Sequence, residues 1–255
     1  MHDPHAPITF PQKARAHFVH VYTASGVGFA FLAAVEICSP TPDPGWVFLW
    51  LLIAVLIDAT DGPLARAWQV KFRAPRFDGR KIDDIVDYLT FTFLPLLLVW
   101  RMEWIPWPGA AWIIPALIAS ILGFANVAAK QEEAGFFLGF PSYWNIYAFY
   151  AGLWYPDYGP RLALFVLLFL TVLSILPVRF LYPNLAPHPW RWPMLLGAAL
   201  WALLLAVMLP DYPHVPAWLV WLSAVYPAFY VVLSLYLDVT ARFRWRSQDE
   251  IPPRS

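Results

Sequence analysis

Eight apolar stretches run in series through the sequence, separated by short segments rich in proline, glycine and charge. A helix needs about 20 residues to cross a hydrocarbon core about 30 Å thick. Charged residues make up only 13% of the 255 residues, whereas soluble proteins have roughly a quarter. The sequence therefore predicts an all-α, polytopic membrane helix bundle of about eight transmembrane helices. The expected spans are approximately 17–37, 46–66, 83–101, 110–130, 142–156, 160–178, 193–209 and 216–238.

Lysine and arginine are distributed unevenly between the two sides of this arrangement. Cytoplasmic loops of membrane proteins carry an excess of these residues. With the N-terminus inside, 15 of the 17 basic residues fall on the cytoplasmic side, and only Arg101 and Arg161 lie outside. We therefore expect both termini to be cytoplasmic. The expected divisions are a cytoplasmic segment at 1–16, a transmembrane domain at 17–238 and a basic cytoplasmic tail at 239–255.

Acidic residues stand at the cytoplasmic ends of the second and third spans, where hydrocarbon meets water. Asp58 and Asp61 are three residues apart and share a helix face, and Asp83 and Asp87, four apart, share another. An unpaired charge at that depth costs at least a few kcal/mol. Two adjacent helices would bring four carboxylates to one point, and ligand sets of oxygen alone favour Mg²⁺ or Mn²⁺. We expect a site for two divalent cations.

The residues beside these aspartates suit phosphate chemistry. Gly62 lets a phosphate approach the backbone, Ala65 leaves room one turn on, and Arg66 offers a forked donor. Metal ions that bridge pyrophosphate oxygens and a carboxylate that deprotonates an acceptor hydroxyl are the parts that phosphoryl transfer requires. Asp78 and Asp84 are out of phase with the others, so we expect them outside the cluster.

The two halves combine into a longer pattern, Asp-x-x-Asp-Gly-x-x-Ala-Arg followed by Gly-x-x-x-Asp-x-x-x-Asp, between residues 58 and 87. This pattern resembles the signature of the CDP-alcohol phosphotransferase family. The matching residues are Asp58, Asp61, Gly62, Ala65, Arg66, Gly79, Asp83 and Asp87. Twelve residues separate Arg66 from Gly79, a longer spacer than most members have, which is similar to that of the bacterial phosphatidylcholine synthases. The stretches at 20–26, 139–141 and 176–183 are similar to that branch as well.

This resemblance implies a multi-pass enzyme of the bacterial inner membrane with its active site on the cytoplasmic side. The implied reaction transfers the phosphatidyl group of CDP-diacylglycerol to choline and releases CMP. By family analogy Asp58, Asp61 and Asp83 hold the metals, while Asp87 contacts one metal and acts as the catalytic base. The residues implied to frame the CDP group are Asp61, Gly62, Ala65, Arg66 and Gly79. The resemblance also suggests a homodimer.

Two further groups of residues are candidates for substrate contacts. A quaternary ammonium ion is bound by aromatic faces, and Tyr22, Trp144 and Tyr147 are the candidates for choline, although aromatic rings near a bilayer surface also serve as interface anchors. Lys130 and Arg179 stand at cytoplasmic span ends, where they either hold the lipid phosphate or extend to headgroups. Both alternatives stay open for each group.

Other functions compete with choline transfer. An enzyme of the same kind could use another acceptor such as serine, although the scattered basic residues outside the signature favour an acceptor without a phosphate. A divalent-cation transporter is a candidate of a different class, but its path needs polar groups across the bilayer, and the acidic cluster lies at one face only. A formal net charge of zero supplies no basic surface for nucleic acid. Membrane lipid is an expected partner.

Overall fold

Helices form most of the structure, a computed structural model that describes residues 9–126, 130–131, 135–183, 186 and 188–249. The expected all-α helix bundle is confirmed. The helices are α1 (Phe10–Ile37), α2 (Pro44–Ala67), α3 (Val70–Arg73), α4 (Gly79–Asp87), α5 (Leu94–Arg101), α6 (Gly109–Ala125), α7 (Trp144–Tyr158), α8 (Pro160–Ile175), α9 (Arg191–Met208) and α10 (Ala217–Asp249). A π-helical turn, Tyr88–Phe93, joins α4 to α5. Three short strands are β1 (Lys130–Gln131), β2 (Phe136–Leu138) and β3 (Arg179–Leu181).

Each expected span contains one helical segment, and the third consists of α4, the π-turn and α5 in continuous succession. Within the described residues, four helices are long and apolar enough to cross a membrane: Phe10–Ile37, Pro44–Ala67, Arg191–Asp211 and Ala217–Thr240. Gly109–Ala125 and Pro160–Ile175 are shorter apolar helices. These lengths and compositions are those of a membrane protein, and the count of eight crossings stays a prediction.

The first and last helices extend beyond the expected spans. Helix α1 begins at Phe10 because Thr9 and Gln12 form a capping box, in which the Gln12 side chain accepts a hydrogen bond of 3.0 Å from the Thr9 backbone. Pro11 lies in the first turn, where its missing N–H costs nothing. Helix α10 continues to Asp249, so helix reaches into both segments expected to be cytoplasmic. The division at 1–16, 17–238 and 239–255 stays a prediction.

The chain folds into two compact units. The first unit consists of Met1–Met102 and Trp144–Phe149, and the second of Glu103–Tyr143 and Tyr150–Ser255. Helix α7 therefore contributes its first turns to one unit and its remainder to the other.

In the first unit, α1 packs along α2, α4 and α5. Its buried positions recur at helical spacing and are mostly small: Ala16, Val19, His20, Thr23, Gly26, Ala30, Ala33 and Ile37. Small residues let helices approach closely in a membrane. A Cβ atom added to Gly26 would lie 2.6 Å from Cγ1 of Val86, so glycine is needed where α1 meets α4.

In the second unit, α6 packs against α8 and α9 packs against α10. The strands form an antiparallel sheet in the order β1, β2, β3. Helix α10 holds β3 through two hydrogen bonds: the Leu181 N–H donates to Oγ of Ser234 at 3.1 Å, and the Tyr230 hydroxyl donates to the Leu181 carbonyl at 3.0 Å. The sequence did not predict these strands, since each is only two or three residues long.

Gly152 packs against two large side chains of the second unit. An added Cβ atom would lie 2.5 Å from the buried ring of Trp104 and would also meet the hydroxyl of Tyr212. We expect Gly152→Ala to lower the free energy of unfolding by about 1–3 kcal/mol, because overpacking displaces both rings. Thermal unfolding in detergent measures this effect.

Gly123→Ala in α6 is the matched control, because a Cβ atom there meets nothing within 4 Å. Equal stability of the two variants would contradict the packing around Gly152.

Candidate active site

Three carboxylates of the first unit converge between two helices. Asp58 lies on α2, and Asp83 and Asp87 lie on α4. One carboxylate oxygen from each residue lies within 4.8 Å of the other two, and all three residues are half-buried. Like charges this close repel strongly unless a cation stands among them. The all-oxygen donor set fits a hard divalent cation such as Mg²⁺ or Mn²⁺.

The start of α4 determines which of its residues reach this cluster. Asp78 caps the helix: its carboxylate accepts hydrogen bonds from the backbone N–H groups of Arg80 at 3.1 Å and Lys81 at 3.4 Å. A side-chain cap of this kind fixes the first turn, so Asp83 and Asp87 follow on one face. Asp78 and Asp84 are outside the group of three, as expected from their phase.

Asp61, the fourth expected member, is not in the group of three. It is 7% exposed, and its carboxylate is hydrogen-bonded to the Thr23 side chain and the Gly62 backbone, near the Arg66 guanidinium. Two side chains three residues apart on a helix differ by about 60° in direction around the axis and by about 4.5 Å along it. Asp61 therefore has different neighbours from Asp58, and its role as a metal ligand stays a prediction.

The small residues that follow Asp61 have different surroundings. The Arg66 guanidinium lies over Gly62, with Nη1 3.4 Å from where a Cβ atom would be. A phosphate that approached the Gly62 backbone would therefore meet a cation. Ala65 packs instead against a buried cluster between α1 and α3, which consists of Ala16, Val19, Val70 and Ala74. Gly79 is the first residue of α4 and lies beside His20.

Helix α1 supports the acidic segment through residues that the motif does not contain. The Tyr22 hydroxyl is hydrogen-bonded to Oγ1 of Thr60 at 2.7 Å, and Thr60 stands between the first two aspartates of the signature. The neighbouring Thr23 is the residue that contacts Asp61. The sequence offered one signal for Tyr22 and Thr23, the resemblance over 20–26. No spacing rule predicted which residue of α2 either of them would contact.

The other expected choline residues, Trp144 and Tyr147, are both buried in the first unit, at 0% and 5% exposure. Their rings pack edge to face, with centroids 5.8 Å apart. In the second unit, Lys130 and Arg179 lie on the outer strands β1 and β3 of the sheet. The choline contacts of Trp144 and Tyr147 and the lipid-phosphate contacts of Lys130 and Arg179 stay predictions.

Comparison with known proteins adds a second line of evidence. No protein-family model matches the chain. Curated phosphatidylcholine synthases are similar to it over most of their length: that of Legionella pneumophila is 34% identical over 93% of this chain and 94% of the relative. That of Rhizobium johnstonii is 34% identical, over 89% and 91% respectively.

The phosphatidylcholine synthase of Pseudomonas aeruginosa is 37% identical over 67% of this chain and 70% of the relative. The chain belongs to the phosphatidylcholine synthase family. The expectation of an enzyme, a membrane-bound transferase of phospholipid biosynthesis, is thereby confirmed.

The cluster of three carboxylates predicts a specific loss of metal binding. Asp83→Asn removes one ligand charge, and we expect the affinity for Mn²⁺ to fall on the order of 10- to 100-fold, the equivalent of about 1.4–2.7 kcal/mol. Electron paramagnetic resonance of free and bound Mn²⁺ in detergent measures this change.

Asp84→Asn is the control, because it removes the same charge from the adjacent position outside the cluster. If both variants bound Mn²⁺ equally well, the cluster would not be the metal site.

Proposed function

We propose that the protein transfers the phosphatidyl group of CDP-diacylglycerol to choline and releases CMP, as a member of the CDP-alcohol phosphotransferase family. The observation that carries this proposal is the convergence of Asp58, Asp83 and Asp87 in a chain whose relatives are phosphatidylcholine synthases. The three aspartates are signature residues of the resemblance, so motif and geometry select the same side chains.

Each signature residue has a role in this reaction. Asp58, Asp61 and Asp83 hold two divalent cations, Mn²⁺ or Mg²⁺, which when bound neutralise the charge of the pyrophosphate. Asp87 touches this site and accepts the proton of the choline hydroxyl. The choline oxygen forms a bond to the phosphorus that carries diacylglycerol, the bond from that phosphorus to the bridging oxygen breaks, and CMP leaves.

The CDP group is held by neighbouring residues in this proposal. The Arg66 guanidinium, which lies over Gly62, is suited to donate to a phosphate oxygen in the forked manner of arginine. Asp61, Ala65 and Gly79 complete the CDP site, while Lys130 and Arg179 contact the lipid phosphate. The distribution of basic residues supports an active site on the cytoplasmic side of the bacterial inner membrane. A homodimer is part of the proposal.

Purified protein supplied with CDP-diacylglycerol and Mn²⁺ or Mg²⁺ tests the acceptor. We expect CMP release with choline and none with serine. Release with serine alone would transfer the assignment to an enzyme with another acceptor, and the absence of CMP with every acceptor would overturn the enzymatic proposal.

Asp87→Asn tests the catalytic base. Loss of a general base costs about 100- to 10,000-fold in rate, so we expect turnover to fall at least that far while CDP-diacylglycerol still binds. Asp84→Asn should retain turnover. Appreciable activity of the Asp87 variant would remove this residue as the base.

Trp144 and Tyr147 are proposed to face the quaternary ammonium group of choline. A desolvated cation–π contact is worth about 2 kcal/mol, which corresponds to roughly 30-fold in affinity. We therefore expect Tyr147→Ala to raise KM for choline by about that factor and Tyr147→Phe to leave KM unchanged, because the ring remains. Steady-state kinetics with varied choline measures both.

Tyr158→Ala, at the far end of the same helix and 53% exposed, is the control for general effects on α7. The choline assignment fails if Tyr147→Ala and Trp144→Ala both leave KM for choline at its original value.

A further inference from the structure

The spacer between the two halves of the signature, residues 67–78, contains the short helix α3. The chain leaves α2 and turns at Gln69, whose φ of 51° lies in the left-handed region. That conformation is unfavourable for a residue other than glycine, so neighbouring contacts have to hold it. One of them is the hydrogen bond of 3.0 Å that Nη2 of Arg73 donates to Oε1 of Gln69. The spacer is therefore a folded element rather than a loose connection.

Helix α3 has one side packed against the protein and the other side exposed. Val70 and Ala74, one turn apart, are 5% and 2% exposed, and they pack against Ala16 and Val19 of α1. Phe72 lies between them in the sequence and is 74% exposed. The packing of α3 on α1 thus holds a large apolar ring on the outer surface of the first unit.

Basic residues surround this exposed ring. Lys71 and Arg76 are both exposed, and Phe77 adds a second aromatic side chain that is 49% exposed. The one acidic residue of the spacer is Asp78, whose carboxylate caps α4. Aromatic and basic side chains on one surface are typical of segments that lie on an anionic membrane. The charge of this surface is complementary to lipid phosphates.

The length of α2 indicates the depth of α3 in the bilayer. Helix α2 has 24 residues, which span about 36 Å and exceed a hydrocarbon core of about 30 Å by only about 6 Å. Helix α3 follows after a turn of two residues, so it lies at the level of the headgroups, which extend about 5–8 Å beyond the hydrocarbon on each side. Aromatic rings and the charged ends of lysine and arginine are both favourable at that level.

We propose that α3 is a membrane-surface contact, in which Phe72 inserts among the headgroups while Lys71 and Arg76 bind the phosphates of anionic phospholipids around the protein. Lipid is the occupant that this depth supplies, whereas a soluble protein would have to displace headgroups to reach Phe72. The contact fastens the connection between α2 and α4, the two helices that carry the acidic cluster. This inference goes beyond the proposed function and does not depend on it.

A depth measurement by electron paramagnetic resonance tests the proposal. The full chain carries Phe72→Cys with a nitroxide label, whose apolar ring replaces the phenyl ring, and Cys38→Ala, because Cys38 is exposed. Oxygen concentrates in the bilayer and a nickel chelate stays in water, so the ratio of their collision rates with the label reports depth. In nanodiscs of equal parts phosphatidylglycerol and phosphatidylcholine we expect oxygen to dominate. In nanodiscs of phosphatidylcholine alone the label should move toward water.

Charge variants test the role of the basic residues. Each basic side chain at an anionic surface favours the bound state about fivefold, so Lys71→Gln with Arg76→Gln should shift the label toward water by about 30-fold in the equilibrium. Lys71→Arg with Arg76→Lys is the matched control, because it keeps both charges and should leave the depth unchanged. Arg73 stays intact in every variant, since it holds Gln69.

Phe10→Cys is the control position, because Phe10 is an exposed phenylalanine of the same unit, at 84%, and lies about 9 Å beyond Ala16 along α1. Its label should be open to nickel in both lipids. The proposal fails if the label at position 72 is equally open to nickel, or if removal of the two charges leaves its depth unchanged. Shielding from both reagents would show that protein covers Phe72 and would also overturn the proposal. Since depth needs no turnover, failure of CMP release would disprove the proposed function without affecting this test.

Discussion

Close packing of α1 against both α2 and α4 is the interaction on which the candidate site depends. The hydrophobic effect does not draw helices together inside a bilayer, so they associate through close packing and hydrogen bonds. Gly26 lets α4 approach α1, while Tyr22 and Thr23 bind the segment of α2 that contains Thr60. These contacts bring acidic residues of two helices together although their charges repel, and a cation bound among them would relieve the repulsion.

The π-helical turn after Asp87 reconciles two demands on one continuous helix. The segment before the turn must present Asp83 and Asp87 to a polar centre, and the segment after it must bury Leu94 and Leu98, which share a face and are 4% and 0% exposed. A π-turn inserts one residue relative to an α-helix and so shifts the phase of everything beyond it by about 100°. The face that carries the aspartates before the turn and the face that carries the buried leucines after it therefore need not lie on the same side of the helix.

Sequence patterns predicted the features of the structure that depend on a single helix. Apolar length predicted the all-α bundle and its helical segments, and spacing predicted that Asp83 and Asp87 share a face. Contacts between neighbouring helices were harder to predict, because periodicity does not reveal how one helix is rotated about its axis relative to the next. For that reason spacing placed Asp61 on the same helix face as Asp58 but did not predict its hydrogen bond to Thr23. The short strands lacked any periodic signal at all.

The signature residues therefore divide into two physical groups. Asp58, Asp83 and Asp87 face one another across a space that a cation fits, whereas Ala65 and Gly79, which are proposed to frame the CDP group, also lie against neighbouring side chains. A motif of this kind describes packing as well as chemistry. It follows that the signature can determine the metal centre and the phosphoryl chemistry while leaving the acceptor open, because residues that distinguish choline from serine must lie outside it.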